Sequence, residues 1–187
     1  MRAQRAGRTL LWVVGVMAAI GACAPVVTEP PAGAVKLSVS FADSVWNGTT
    51  IPPGQQCKRF GGNGATPRLV VKNIPPGTNA IIMEYSDRDF MQMDNGGHGR
   101  IGYQIPEGMT EVTIPSVPGH TFDLPQGFFL VEAHRSPSWD TAGAYMPPCS
   151  GGRGNYYYVT VKAVRQASSK SEKPAVLGVA QMGLGRY

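Results

Sequence analysis

From Lys36 onward the chain breaks into short apolar runs, each stopped by glycine or proline before it grows long. The runs "KLSVSF", "RLVVKNI", "NAIIMEY", "TEVTIPSV", "GFFLVEAHR" and "YYYVTVKAV" are rich in β-branched and aromatic residues. Such residues suit a pleated, half-buried surface. Between the second and third runs, "NIPPGTNA" supplies turn chemistry. Strand-like runs with turn signals at this spacing predict an all-β sandwich or a related antiparallel fold. Only the tail, "SSKSEKPAVLGVAQMGLGRY", reads otherwise. Pro174 suits the first turn of a helix over 175–182, which Gly178 weakens.

The N-terminus, "MRAQRAGRTLLWVVGVMAAIGAC", has a different logic. Arg2, Arg5 and Arg8 precede an apolar run from Leu10 to Ile20, and small residues follow. This is the layout of a secretory signal, with a core too short to span a membrane comfortably. The ending Ile20-Gly21-Ala22-Cys23 resembles the lipobox of bacterial lipoproteins. That resemblance implies removal of residues 1–22, lipidation of Cys23, and an anchor in the bacterial envelope. Ala24, Pro25 and Val26 carry no acid, which points to the outer membrane, facing the periplasm. The proline-rich stretch 23–35 reads as a tether, and residues 36–187 as one domain.

Residues 1–22 hold three arginines and no acid. Without them, 14 basic residues face 12 acidic ones, a net charge near +2. That balance gives no ground for expecting nucleic acid as a partner, and no Lys/Arg block suggests a polyanion patch. No GxGxxG leads from a strand into a helix, so nothing points to a nucleotide or other cofactor.

With Cys23 lipidated, Cys57 and Cys149 remain. An oxidising compartment favours pairing them. A bridge over that span is worth about 4 kcal/mol in the chain-entropy model. A catalytic thiolate at Cys149 is the competing reading. It needs a neighbouring base, which His98, His120 or His134 would have to supply. A zinc site would want more closely spaced Cys and His than the chain offers.

Few other residues carry chemistry. "EYSDRDF" ends a strand with Asp87 and Asp89, which alternation places on one side. They could form the rim of a head-group site, half a metal site, or simply a turn cap. His98 lies in the glycine-rich "DNGGHGRIGYQIP", read as a loop where backbone can approach a ligand closely. In "NYYYV", Tyr156 and Tyr158 face one way and Tyr157 the other.

The order of these pieces resembles the phosphatidylethanolamine-binding protein family, which includes the Raf kinase inhibitor protein. The matching segments are "TTIPPGQQCKRFGGNGATPRLVV", "IPPGTNAIIMEYSDRD", "GGHGRIGYQIP", "AYMPPCSGGRGNYYYVTVKAV" and the closing "LGRY". The resemblance implies a mostly β domain, a large antiparallel sheet packed on a smaller one, with a short C-terminal helix. It also implies a small pocket for anions or phospholipid head groups. By position, that pocket takes Asp87, Asp89, His98, Pro148, Cys149, Asn155 and Tyr157. Cys57 then bridges to Cys149 across the pocket's top.

The chain departs from the family pattern at several of these positions. Arg88 replaces a proline, Gly99 a tryptophan, Asn155 the second histidine and Tyr156 an arginine. His98 is one residue out of register, so a bulge is expected beside it. Asn155 can still donate to a phosphate but cannot become cationic. The expected function is a membrane-anchored binding protein for a small anion or phosphorylated head group, with inhibition of a protein partner as a variant. The alternative is an enzyme: a hydrolase using Asp87, His98 and Cys149, or one using a metal on Asp87, Asp89 and His98.

Overall fold

The computed structural model describes residues 32–167 and 174–187. The expected signal segment, Cys23 and the tether up to residue 31 lie outside the described residues. Nine strands follow: β1 Val35–Lys36, β2 Ser38–Phe41, β3 Leu69–Lys72, β4 Ala80–Asp87, β5 Gly99–Gln104, β6 Glu111–Ile114, β7 Phe128–Glu132, β8 Tyr156–Arg165 and β9 Ala175–Arg186. Single 3-10 turns stand at Lys58–Phe60 and Met91–Met93.

Six strands form one sheet in the order β1-β9-β8-β4-β5-β7, and three form a second in the order β2-β3-β6. "KLSVSF" serves both sheets: the strand breaks at Leu37, whose N–H reaches the Val179 carbonyl at 3.1 Å. Alternation then sorts the side chains. In β4, Ile81, Met83, Tyr85 and Asp87 are buried, while Ile82 and Glu84 are half-buried on the other face. In β8, Tyr157, Val159, Val161 and Ala163 point into the same core. Leu69 and Val71 of β3 and Ile114 of β6 meet them from the smaller sheet. On the outer face Glu84 takes Lys162 at 2.8 Å and Arg100 at 3.5 Å. Cross-strand charge pairs of this kind suit a solvated face.

Two expectations need correction. The large sheet is mixed, because β1 runs parallel to β9. The tail is not a helix: Ala175–Arg186 is the longest strand among the described residues. Its glycines explain this. A Cβ at Gly178 would lie 2.8 Å from the Leu37 side chain, and one at Gly183 would lie 2.0 Å from the Tyr156 hydroxyl. Bare backbone there lets neighbouring side chains cross the strand, whereas glycine disfavours a helix interior. The ladder with β8, from Tyr156↔Arg186 to Arg165↔Ala175, outweighs a weak local helix signal.

Candidate functional site

Asp87 is the last residue of β4 and stands directly across from Tyr157, the second residue of β8. Both are buried on the core face. Just before β8, Asn155 donates from Nδ2 to Asp87 Oδ2 at 2.7 Å. Just before β5, His98 donates its backbone N–H to the Tyr85 carbonyl at 3.0 Å. Its ring meets that of Tyr157 edge to face, with centroids 5.3 Å apart. Three stretches distant in sequence are thus drawn to one end of the large sheet.

The wall comes from 146–149. His98 Nδ1 lies 2.7 Å from the Met146 carbonyl oxygen. A carbonyl only accepts, so Nδ1 carries the proton and Nε2 of the neutral ring holds a lone pair. The Tyr157 hydroxyl accepts the Cys149 N–H at 3.1 Å. Cys149 is bonded to Cys57, and the Cys57 N–H reaches the Pro148 carbonyl at 3.0 Å. Pro148 and Cys149 are both buried.

Asp89 does not join Asp87. β4 ends at Asp87, so alternation ends with it. The Asp87 Oδ1 accepts the Asp89 N–H at 2.9 Å, which turns the chain in the manner of an Asx turn. Asp89 is left exposed, with Oδ2 on the Tyr156 N–H at 2.6 Å. The expected same-side pair is therefore a strand end followed by a turn. The bulge expected beside His98 is absent from the β4–β5 ladder, which is regular from Ala80↔Gln104 to Tyr85↔Gly99. The irregularity lies instead on the β7 side, between Arg100 and Ile101. Gly99 bends the backbone next to His98 with φ at +123°.

Burial dominates the electrostatics. It raises the Asp87 carboxyl, against the lowering effect of hydrogen bonds from Asn155, the Asp89 N–H and Tyr157. It pushes His98 down to about 4, although the Met146 carbonyl works the other way. It raises the Tyr157 phenol. The site thus gathers a carboxyl group held above its usual range, an imidazole that is neutral at pH 7, a phenol and an amide. Two shallow hollows, about 480 and 370 Å³, lie elsewhere on the surface, and none of Asp87, His98, Asn155 or Tyr157 lines either.

Sequence reasoning missed Met146 and Ser150. The first acts through its carbonyl, which any residue could supply. The second is a buried hydroxyl that hydrogen-bonds Tyr157, and nothing in "CSGGRG" sets it apart.

No family sequence profile matches the chain, and no curated protein matches it. Solved structures do. YbcL of Escherichia coli, described as a new member of the mammalian PEBP family, is 17% identical with a TM-score of 0.51, over 82% of this chain and 98% of that one. CT736 of Chlamydia trachomatis, described as a putative phosphatidylethanolamine-binding protein homologue, is 16% identical with a TM-score of 0.48, over 81% and 97%. The sheet order, the two-sheet packing and the likeness to YbcL agree that this chain carries the fold of the phosphatidylethanolamine-binding protein family.

Proposed function

We propose that the domain is a binding protein whose site, formed by Asp87, His98, Asn155 and Tyr157, takes a small anion or the phosphorylated head group of a lipid. Lipid on Cys23 would hold it at a membrane of the bacterial envelope. The observation that carries this reading is the convergence of His98 and Tyr157, ring against ring, beside the Asp87–Asn155 pair. The disulfide-tied segment closes the wall behind them.

The electrostatics set the terms of binding. A neutral His98 offers a lone pair at Nε2, which does not attract an anion. Protonation would turn Nε2 into a charged donor, and a bound anion would favour that form. Anion affinity should therefore rise as pH falls. Calorimetric titration of the wild type with phosphate and with phosphoethanolamine at pH 5 and pH 8 tests this. Binding that is stronger at pH 5 and lost in His98→Asn supports the reading. Absence of heat with either ligand at millimolar concentration and pH 5 defeats it. Incorporation of labelled fatty acid into wild type but not Cys23→Ser tests the anchor separately.

The enzyme reading is not favoured. Its hydrolase form needs a thiolate at Cys149, whose sulfur is bonded to Cys57. Its metal form needs Asp87 and Asp89 to converge, and Asp89 faces the Tyr156 N–H instead.

A further inference from the structure

The disulfide has unusual company. The sulfurs of Cys57 and Cys149 and a carboxylate oxygen of Asp140 all lie within 4.8 Å of one another. A disulfide has no use for a carboxylate at that range, and burying the carboxylate costs free energy unless it is paired. Asp140 is paired. Its Oδ2 lies 2.8 Å from Nε2 of His120, and both side chains are nearly or wholly buried. Its Oδ1 accepts the Arg59 N–H at 3.3 Å.

His120 is held under constraint. Its backbone is left-handed, with φ at +63°, which costs a non-glycine residue free energy and marks an over-determined position. Its Nδ1 is buried without a hydrogen-bond partner. Its Nε2 faces two demands, because the Lys58 N–H points at it from 3.2 Å while Asp140 Oδ2 sits at 2.8 Å. One nitrogen cannot donate to the carboxylate and accept from the amide in a single tautomer.

The surroundings are dry and soft. Met93, Met146 and Phe60 pack against the two cysteines. Trp139 donates from Nε1 to the Cys149 carbonyl at 3.3 Å, with the Arg59 guanidinium 3.9 Å over its ring. Two thiolates and a carboxylate oriented by an imidazole form a donor set for a tetrahedral divalent cation of the zinc class.

We propose that in the reduced chain Cys57, Cys149 and Asp140 bind such a cation, with His120 as the positioning residue for the carboxylate and water as the fourth ligand. A dithiol reductant supplies two electrons and two protons to open the S–S bond and is itself oxidised to a disulfide. The cation then displaces the two thiol protons as it forms two metal–sulfur bonds. Metal and disulfide are thus alternative ties between the same two loops. This inference does not depend on the head-group reading, since it concerns the outer side of the wall.

The test uses the full chain, reduced and kept anaerobic, titrated with cobalt(II) as the probe. One equivalent should produce thiolate-to-cobalt charge-transfer absorption, and zinc should abolish it by displacement. The oxidised chain should show none. Asp140→Asn should weaken cobalt binding at least tenfold, and His120→Gln should weaken it about ten- to a hundredfold. Circular dichroism should show that the metal-loaded reduced chain is folded. The proposal is overturned if the reduced wild type gives no such band. It is equally overturned if Asp140→Asn titrates like wild type, or if the metal-loaded reduced chain is unfolded, because the thiols alone would then be the ligand.

Discussion

At the scale of single residues, the bond from Asn155 to Asp87 is the one most exposed to test. It satisfies a buried carboxylate oxygen at 2.7 Å. Asn155→Ala leaves that oxygen without its donor, at a cost of about 1–3 kcal/mol. Urea denaturation at neutral pH would show a lowered midpoint, and the Asp87 carboxyl, followed by NMR, should rise further. His98 makes a second prediction. Burial holds it near 4 and also lowers His120 and His134. Imidazoles bound neutral leave the unfolded chain with the greater proton uptake, so their stability is complete above about pH 6.5 and falls as pH drops toward 4. For His98 alone the loss is at most about 3 kcal/mol. Asp87, being raised, acts with the opposite sign: its contribution is present at low pH and fades as pH climbs through its folded value. A melting temperature followed from pH 7.5 to 4 should fall, and His98→Asn should flatten the slope between pH 6.5 and 4.

At the scale of elements, glycine decides both what the sequence revealed and what it concealed. Runs rich in β-branched and aromatic residues announced β2, β3, β4, β6, β7 and β8, and in β2, β3 and β6 alternating exposure leaves a readable period-2 trace. β5, "GRIGYQ", reads as a loop because Gly99 and Gly102 carry no side chain to alternate. The packing shows why they are bare. A Cβ at Gly102 would lie 2.0 Å from the Phe129 ring, and one at Gly99 would lie 2.1 Å from the Ala144 carbonyl oxygen. β9 was concealed in the same way. In the site, the positions of His98, Asn155 and Tyr157 were legible from motif order. The turn at Asp89 and the role of the Met146 carbonyl were not, since both rest on backbone geometry. Gly99→Ala meets rigid backbone and a φ of +123° together. It should cost about 3 kcal/mol or more and should shift the His98 ring signals in an NMR spectrum. Gly102→Ala meets only a ring that can swing aside, so it should cost less and perturb mainly Phe129 and β7.

At the scale of the whole molecule, Cys57 and Cys149 lie 92 residues apart in sequence. A loop of that length makes the bridge worth about 4.6 kcal/mol in the chain-entropy model. Reduction without metal should lower the denaturant midpoint accordingly, with the slope near its oxidised value if the transition stays two-state. The sheet order carries a further consequence. β9, the last of the nine strands among the described residues, inserts between β1 and β8 rather than adding at an edge. β8 therefore keeps one side unsatisfied until the later segment that forms β9 is available to pair with it. Until then it exposes a naked strand border, open to mispairing with another chain, so truncation after Arg165 should yield aggregates rather than a smaller soluble domain.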